Sequence, residues 1–353
     1  MVIASTACAL SRGSTGFHPA DSFVLSGTPL PDLAEGATLR TRSSALDRIT
    51  KREPHLDSTM RRMGTGRGVA IYVFDGGVSD QHAELAGRVR VGFDAFPSTP
   101  RVCNAHGTAV AGAAAGATLG VAPQAEIVDV KIINCEHMRG SVGAIVDAAR
   151  WTVQDHRRHL GQPAIANWSF AVDTTRNVPE VDSALALLRD AGILVVVAAG
   201  NFDIDACHVS PANAPRALVV GASALVRSAD RHWQDVRARN TAWGPCIDLY
   251  APGDSVLLPG FDREGPTTSA WNGTSMAAGY VSGAASLVFE RDPGASPDEV
   301  MMALLQEATP STVDERATGA SLAPTSGAAG ARSPLLYVGR AVRTIAAVPH
   351  IRY

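Results

Sequence analysis

The apolar positions of this chain fall into short continuous runs, separated by stretches whose apolar residues recur every three to four places. The runs at 69–74, 127–132, 164–168, 193–198 and 218–220 are rich in Val, Ile and Ala, as strands buried on both faces should be. Helical patterns lie between and after them, at 106–115, 142–157, 179–191, 274–289 and 297–308. The last opens on Ser296-Pro297-Asp298-Glu299, with a capping serine, proline at the first helical position and glutamate at the third. Such alternation predicts a three-layer α/β fold, a mostly parallel central sheet with helices on both faces. Right-handed crossovers then collect the strand carboxyl ends on one rim, where ligands bind in such sheets. Asp75 follows the first run and Asn201 follows the fourth, so both are expected on that rim.

Three short segments carry candidate chemistry. The first strand runs into a carboxylate as Val73-Phe74-Asp75-Gly76-Gly77. A helix start reads Asn104-Ala105-His106-Gly107-Thr108-Ala109, and a later one reads Asn272-Gly273-Thr274-Ser275-Met276-Ala277. Asp, His and Ser in that chain order make one known arrangement of a nucleophilic triad. A serine hydroxyl is inert at neutral pH unless a neighbouring base takes its proton. His106 is the expected base, Asp75 its orienting carboxylate, and Ser275 the nucleophile, with its N–H at a helix start facing the oxyanion. The order excludes a chymotrypsin-like arrangement, in which His precedes Asp. Ala277 breaks the Gly-x-Ser-x-Gly elbow of an α/β-hydrolase.

On these segments the chain resembles the subtilisin-like serine peptidases, and within them the proteinase K-like branch. The likeness runs from Leu46-Asp47-Arg48-Ile49 to Ser333-Pro334-Leu335-Leu336-Tyr337. It implies a subtilisin-like fold and a serine endopeptidase that works through an acyl-enzyme on Ser275. Asn201, in Ala198-Ala199-Gly200-Asn201, matches the side-chain donor of the family's oxyanion hole. The family binds peptide as an added antiparallel strand, here between Arg139-Gly140-Ser141 and Ser169-Phe170-Ala171. Relatives usually carry Ser-Leu-Gly at the second edge, so Ala171 is expected to narrow the first specificity pocket. The family default is an apolar or aromatic residue before the cleaved bond. His82 matches a structural surface histidine. A structural Ca²⁺ is implied at Asp248 and the carbonyls of Pro215 and Ala217, with no cofactor needed for the chemistry.

The pattern also departs from the family. Gly76 replaces a hydroxyl residue, Ala109 replaces a histidine, and Gly279-Tyr280 stands where proline and histidine are usual. None of these removes a proton-transfer group or an oxyanion donor, but each alters the supporting shell. Two alternatives therefore accompany the endopeptidase reading. One is a weak or inactive homologue that only binds peptide, and the other is an acyl-transferring ligase or macrocyclase.

Composition adds compartment and partners. The chain has 353 residues and a net charge of −3, enough for one large buried core and a poor match to nucleic acid. Five cysteines are present. Setting Cys8 aside, Cys103, Cys135, Cys207 and Cys246 allow three pairings. The family resemblance implies Cys103 with Cys135 and Cys207 with Cys246. Disulfides imply an oxidising compartment, so secretion is expected. The first ten residues lack a basic region and make a poor signal peptide. Residues 1–45, rich in Ser, Thr, Gly and Pro, read as a flexible extension or residual leader, 46–345 as the peptidase domain and 346–353 as a tail. The expected partners are a peptide or protein substrate and a prodomain inhibitor outside this chain, with no nucleic acid and no membrane, for a monomer. Asn167-Trp168-Ser169 and Asn272-Gly273-Thr274 match glycosylation sequons, but both lie in the expected site, where a glycan would block it.

Overall fold

Apolar side chains on both faces of a strand require cover on both sides, and the architecture follows from that. The computed structural model describes residues 2–3, 35–228, 230–318 and 332–340. Ten strands form the central sheet: β1 (Ala70–Asp75), β2 (Val89–Asp94), β3 (Glu126–Lys131), β4 (Ala164–Trp168), β5 (Leu194–Ala198), β6 (Leu218–Arg227), β7 (Trp233–Arg237), β8 (Leu249–Pro252), β9 (Thr309–Thr318) and β10 (Arg332–Leu335). Their spatial order is β7-β9-β10-β8-β6-β5-β4-β1-β3-β2. Neighbours run parallel except β6 with β7 and β9 with β10.

Alternate residues of β1 serve two cores. Ile71 and Val73 face a cluster shared with α2 (His106–Ala115) and α5 (Thr274–Arg291). Ala70, Tyr72 and Phe74 face another shared with α3 (Val142–Arg158) and α4 (Pro179–Asp190). The expected helices and the five apolar strands are present with ends moved by a residue or two, save that β6 runs seven residues beyond 218–220. The last of the expected helices, α6 (Pro297–Glu307), starts on the full Ser296/Glu299 capping box, and α1 (Ser44–Ile49) and a 3-10 turn at Ala206–His208 were not expected.

α5 is buried along nearly its whole length because it crosses the sheet beneath α2. Two small residues permit that crossing. A Cβ at Gly279 would come within 2.7 Å of the Val110 carbonyl, and one at Gly283 within 2.5 Å of the Ala114 carbonyl. Gly279, a departure from the family pattern, is therefore a packing residue.

The amino-terminal boundary differs from expectation. Ala37–Arg40 pairs antiparallel with Thr59–Arg62, and Ser43 caps α1 through the Leu46 N–H. Regular structure thus begins before residue 46. The buried guanidinium of Arg48 then clasps Asp235 on β7 through two bonds of 2.9 and 2.7 Å, fixing α1 to the sheet. Val2–Ile3 also forms a strand, antiparallel to Arg139–Gly140. A four-residue strand within a Ser- and Thr-rich stretch shows too few apolar positions to stand out. Most of the expected extension, Cys8 and the tail at 346–353 lie outside the described residues.

Candidate active site

Asp75 is the last residue of β1 and is buried. Its Oδ1 accepts the Gly76 N–H at 2.7 Å, while Oδ2 meets His106 Nδ1 at 2.8 Å. His106 opens α2, its backbone N–H held by Asn104 Oδ1 at 3.0 Å. Burial disfavours the imidazolium, but the charge and hydrogen bond of Asp75 outweigh it and raise the pKa above its ordinary 6.5. Trp271 stands edge-on to the imidazole, with ring centroids 6.4 Å apart.

Ser275 is the second residue of α5 and is buried. Its Oγ donates to the Ser169 carbonyl at 3.3 Å. Before it, Gly273 has φ +131°, a conformation that favours glycine. Asn201 follows β5, and its carboxamide oxygen accepts from Thr274 N at 2.9 Å and Thr274 Oγ1 at 3.1 Å. Those bonds set the amide plane and turn the NH₂ end toward Gly273, where an added Cβ would lie 3.2 Å from Nδ2.

Two adjoining clefts join these groups. One is lined by Asp75, His106, Met138, Ser169 and Phe170, the other by Ser169, Phe170, Ala171, Asn201, Phe202 and Ser275. Ser169 and Phe170 are common to both, so the cleft holding Asp75 and His106 adjoins the one holding Ser275 and Asn201. Phe170 is at once a core aromatic, packed 5.3 Å from the Trp168 ring, and a wall of both clefts.

The Arg139–Gly140 strand pairs antiparallel with Ile133–Asn134, and Ser141 caps α3 by accepting the Ala144 N–H at 3.1 Å. Both cysteine pairs are bridged as the resemblance implied, Cys103 with Cys135 and Cys207 with Cys246. The Cys103 N–H bonds the Gly76 carbonyl at 2.8 Å, so the first bridge steadies the loop beside Asp75. Asp248 Oδ2 accepts the Val219 N–H at 2.7 Å, and burial raises its pKa. Among the described residues, no group of three His, Cys, Asp or Glu side chains could hold a metal. His82 is structural, yet buried and not at the surface: its Nε2 meets the Thr267 carbonyl at 2.9 Å and Nδ1 accepts the Glu84 N–H at 3.1 Å. Asn167 is fully buried between Ser169 and Ser282, which leaves no room for a glycan. Met138, Phe202 and Trp271 line or flank the groove without having been singled out. Phe202 had a signal, an aromatic immediately after Asn201.

The profile of the Subtilase family matches residues 66–325. The chain belongs to that family. This subtilase is 37% identical over 270 residues to an extracellular serine proteinase of Thermus sp. (strain Rt41A), covering 76% of this chain and 62% of that protein. It is 31% identical over 272 residues to alkaline serine exoprotease A of Vibrio alginolyticus, covering 76% of this chain and 47% of the relative. The subtilase thus spans about half to three fifths of the length of these curated relatives. Among solved structures, a cold-adapted subtilisin-like serine proteinase superimposes with a TM-score of 0.68 at 31% identity, over 86% of this chain and 98% of the other. The subtilisin-like α/β fold expected from the sequence is the one observed.

Proposed function

We propose that this subtilase is a secreted serine endopeptidase with Asp75, His106 and Ser275 as its triad and Asn201 as oxyanion donor. The observation that carries the reading is the bond from His106 Nδ1 to Asp75, made beside a cleft that shares Ser169 and Phe170 with the one lined by Ser275 and Asn201. With Nδ1 donating to the carboxylate, Nε2 is the basic nitrogen. It takes the hydroxyl proton as Ser275 Oγ attacks the peptide carbonyl, then delivers it to the leaving amine. Negative charge on the carbonyl oxygen is met by the Ser275 N–H at the start of α5 and by the Asn201 NH₂. Water then repeats the sequence on the acyl-enzyme.

Substrate lies as an added strand along Gly140 and Ser141 on one side and Ser169, Phe170 and Ala171 on the other. The pairing of Val2–Ile3 with Arg139–Gly140 supports this, since the edge accepts an extended segment. Two disulfides and the extracellular Thermus relative support secretion. We extend the reading to a structural Ca²⁺ at Asp248 and the Pro215 and Ala217 carbonyls. The donors are hard oxygens, Arg216 between the carbonyls holds φ +67°, and a buried carboxyl with a raised pKa gains from a cation. Such an ion steadies the turn before β6 and takes no part in proton transfer.

A fluorophosphonate probe tests the peptidase reading. The full chain should be labelled at Ser275, located by mass spectrometry, and His106→Ala should abolish labelling. A folded chain that resists the probe points instead to a peptide-binding homologue.

A further inference from the structure

The pocket beside Ser275 is nearly full. Its lining includes Ser169, Ala171, Gly200, Asn201, Phe202 and Ser275, it is partly open to solvent, and the room left in it for water is about 10 Å³. A site of that size holds about one water, which is the bulk of a methyl group. Because the pocket borders both Ser275 and Asn201, it receives the side chain of the residue whose carbonyl is attacked. This inference therefore rests on the endopeptidase reading.

Two residues take up the space. Phe202 lies against Gly200, with ring carbons 3.2 and 3.3 Å from where a Cβ on Gly200 would stand. Ala171, buried in the same lining, adds a methyl where relatives usually carry glycine. The half-buried ring is carried by a backbone held on both sides. The Gly200 carbonyl accepts from Ala242 N at 2.8 Å, and Asp203 N donates to the Asn240 carbonyl at 2.9 Å. Asp203 is further clamped by Arg237 at 2.5 Å, and four residues on the chain is bridged from Cys207 to Cys246. The neighbouring cleft beside His106 is also small, with about 20 Å³ of room, and Phe170 walls both.

We infer that Phe202, with Ala171, makes this subtilase selective for glycine, alanine or serine immediately before the scissile bond, against the apolar or aromatic preference that its family likeness implies. Phe202 is thus a specificity-determining residue. A larger side chain requires the half-buried ring to leave its place against Gly200.

The test uses the full chain and peptides that differ only at that residue. With alanine there, kcat/KM should exceed the phenylalanine and leucine peptides by about 10- to 100-fold, the usual range for a pocket discriminating by size. Phe202→Ala should raise the phenylalanine-to-alanine ratio about tenfold, and Phe202→Leu, which keeps apolar cover over Gly200, should raise it less. If Phe202→Ala does not fold, the ratio in Phe202→Leu decides the matter. Ratios are read on protein that the phosphonate labels at Ser275. Equal cleavage of the alanine and phenylalanine peptides by labelled wild-type chain overturns the pocket assignment, as does an unchanged ratio in the folded variants. Absence of labelling overturns the endopeptidase reading, and this one with it.

Discussion

Ser275 and Ser169 hold each other. The Ser275 hydroxyl donates to the Ser169 carbonyl at 3.3 Å, and the Ser169 hydroxyl donates to the Ser275 carbonyl at 3.1 Å. The pair joins the start of α5 to the segment just past β4, and a buried polar chain continues behind it. Asn167 Nδ2 donates to Ser169 Oγ at 2.8 Å, and Asn167 Oδ1 accepts from Ser282 Oγ at 2.9 Å. A fully paired buried network fixes geometry, and one missing member leaves the others unpaired.

Asn167→Ala should therefore cost more than one hydrogen bond. It strands the hydroxyl of Ser282, and an unpaired buried polar group costs about 1–3 kcal/mol. Denaturant unfolding should show a loss of that order. Unchanged stability would mean that water enters and replaces the amide.

The Asp75–His106 pair predicts where activity fails in acid. Burial pulls the imidazole pKa down, and the carboxylate lifts it by more, leaving it above 6.5. Only neutral imidazole can act as base, so kcat/KM should fall as pH drops through a value above 6.5. The stability linkage runs the other way: the gain from the raised pKa is complete below about pH 6.5 and fades as pH rises through the folded value. Asp75→Asn removes the lifting charge, so the acid limb should move down, and kcat should drop about 10⁴-fold from loss of the correct tautomer. A limb that stays in place in Asp75→Asn assigns the titration to another group.

Asn201→Asp separates the two ends of one side chain. The new carboxylate keeps an acceptor for Thr274 N and Oγ1 but loses the NH₂ donor. On the proposed role the fold should persist while kcat falls about 100- to 1000-fold, the loss seen when an oxyanion donor is removed in subtilisin. A fall in KM-related binding with kcat preserved would remove Asn201 from the oxyanion site.

The sequence exposed the central strands of this molecule more readily than its edges. β1, β3, β4 and β5 were legible because both faces are buried, so their apolar runs are unbroken. β2 was not: it lies at the sheet edge, with Val91 exposed and Arg90 paired to Glu126 and Asp155. β7 and β9 are mostly polar, with no continuous apolar run, and pair with each other from distant parts of the chain, and the Gly265–Trp271 strand of the hairpin with Val256–Asp262 is largely exposed. The Asp75, His106, Ser275 and Asn201 segments were legible because each ends a strand or opens a helix with short recognisable chemistry. Phe202 escaped notice because its effect depends on the clamped loop around it, which involves Arg237, Asn240 and Cys246 from elsewhere in the chain.

Asp129 is the last group with a measurable signature. It lies on β3 opposite Val73 of β1 and Val91 of β2, and it is buried. One oxygen meets Arg101 at 3.2 Å, while among the described residues the other has no partner. Burial pushes its pKa up to about 7, with Asp75 and Asp94 adding to the rise and the Val78 N–H and Arg101 opposing it. Between about pH 4 and 7 the folded chain therefore keeps a proton that the unfolded chain has released. Stability must fall as pH rises across that window, by at most about 1.4 kcal/mol per pH unit from this group. Asp129→Asn has the same shape and no proton to lose, so its stability should be flatter over the same range. Arg101 keeps Asp80 at 3.5 Å and partial solvent exposure, which limits the cost of losing its buried partner. Urea unfolding of both proteins at pH 5, 6, 7 and 8 gives the difference directly, with His106 cancelling between them. Parallel curves from pH 5 to 7 would show that Asp129 is already ionised in the folded chain, its charge carried by Arg101 alone.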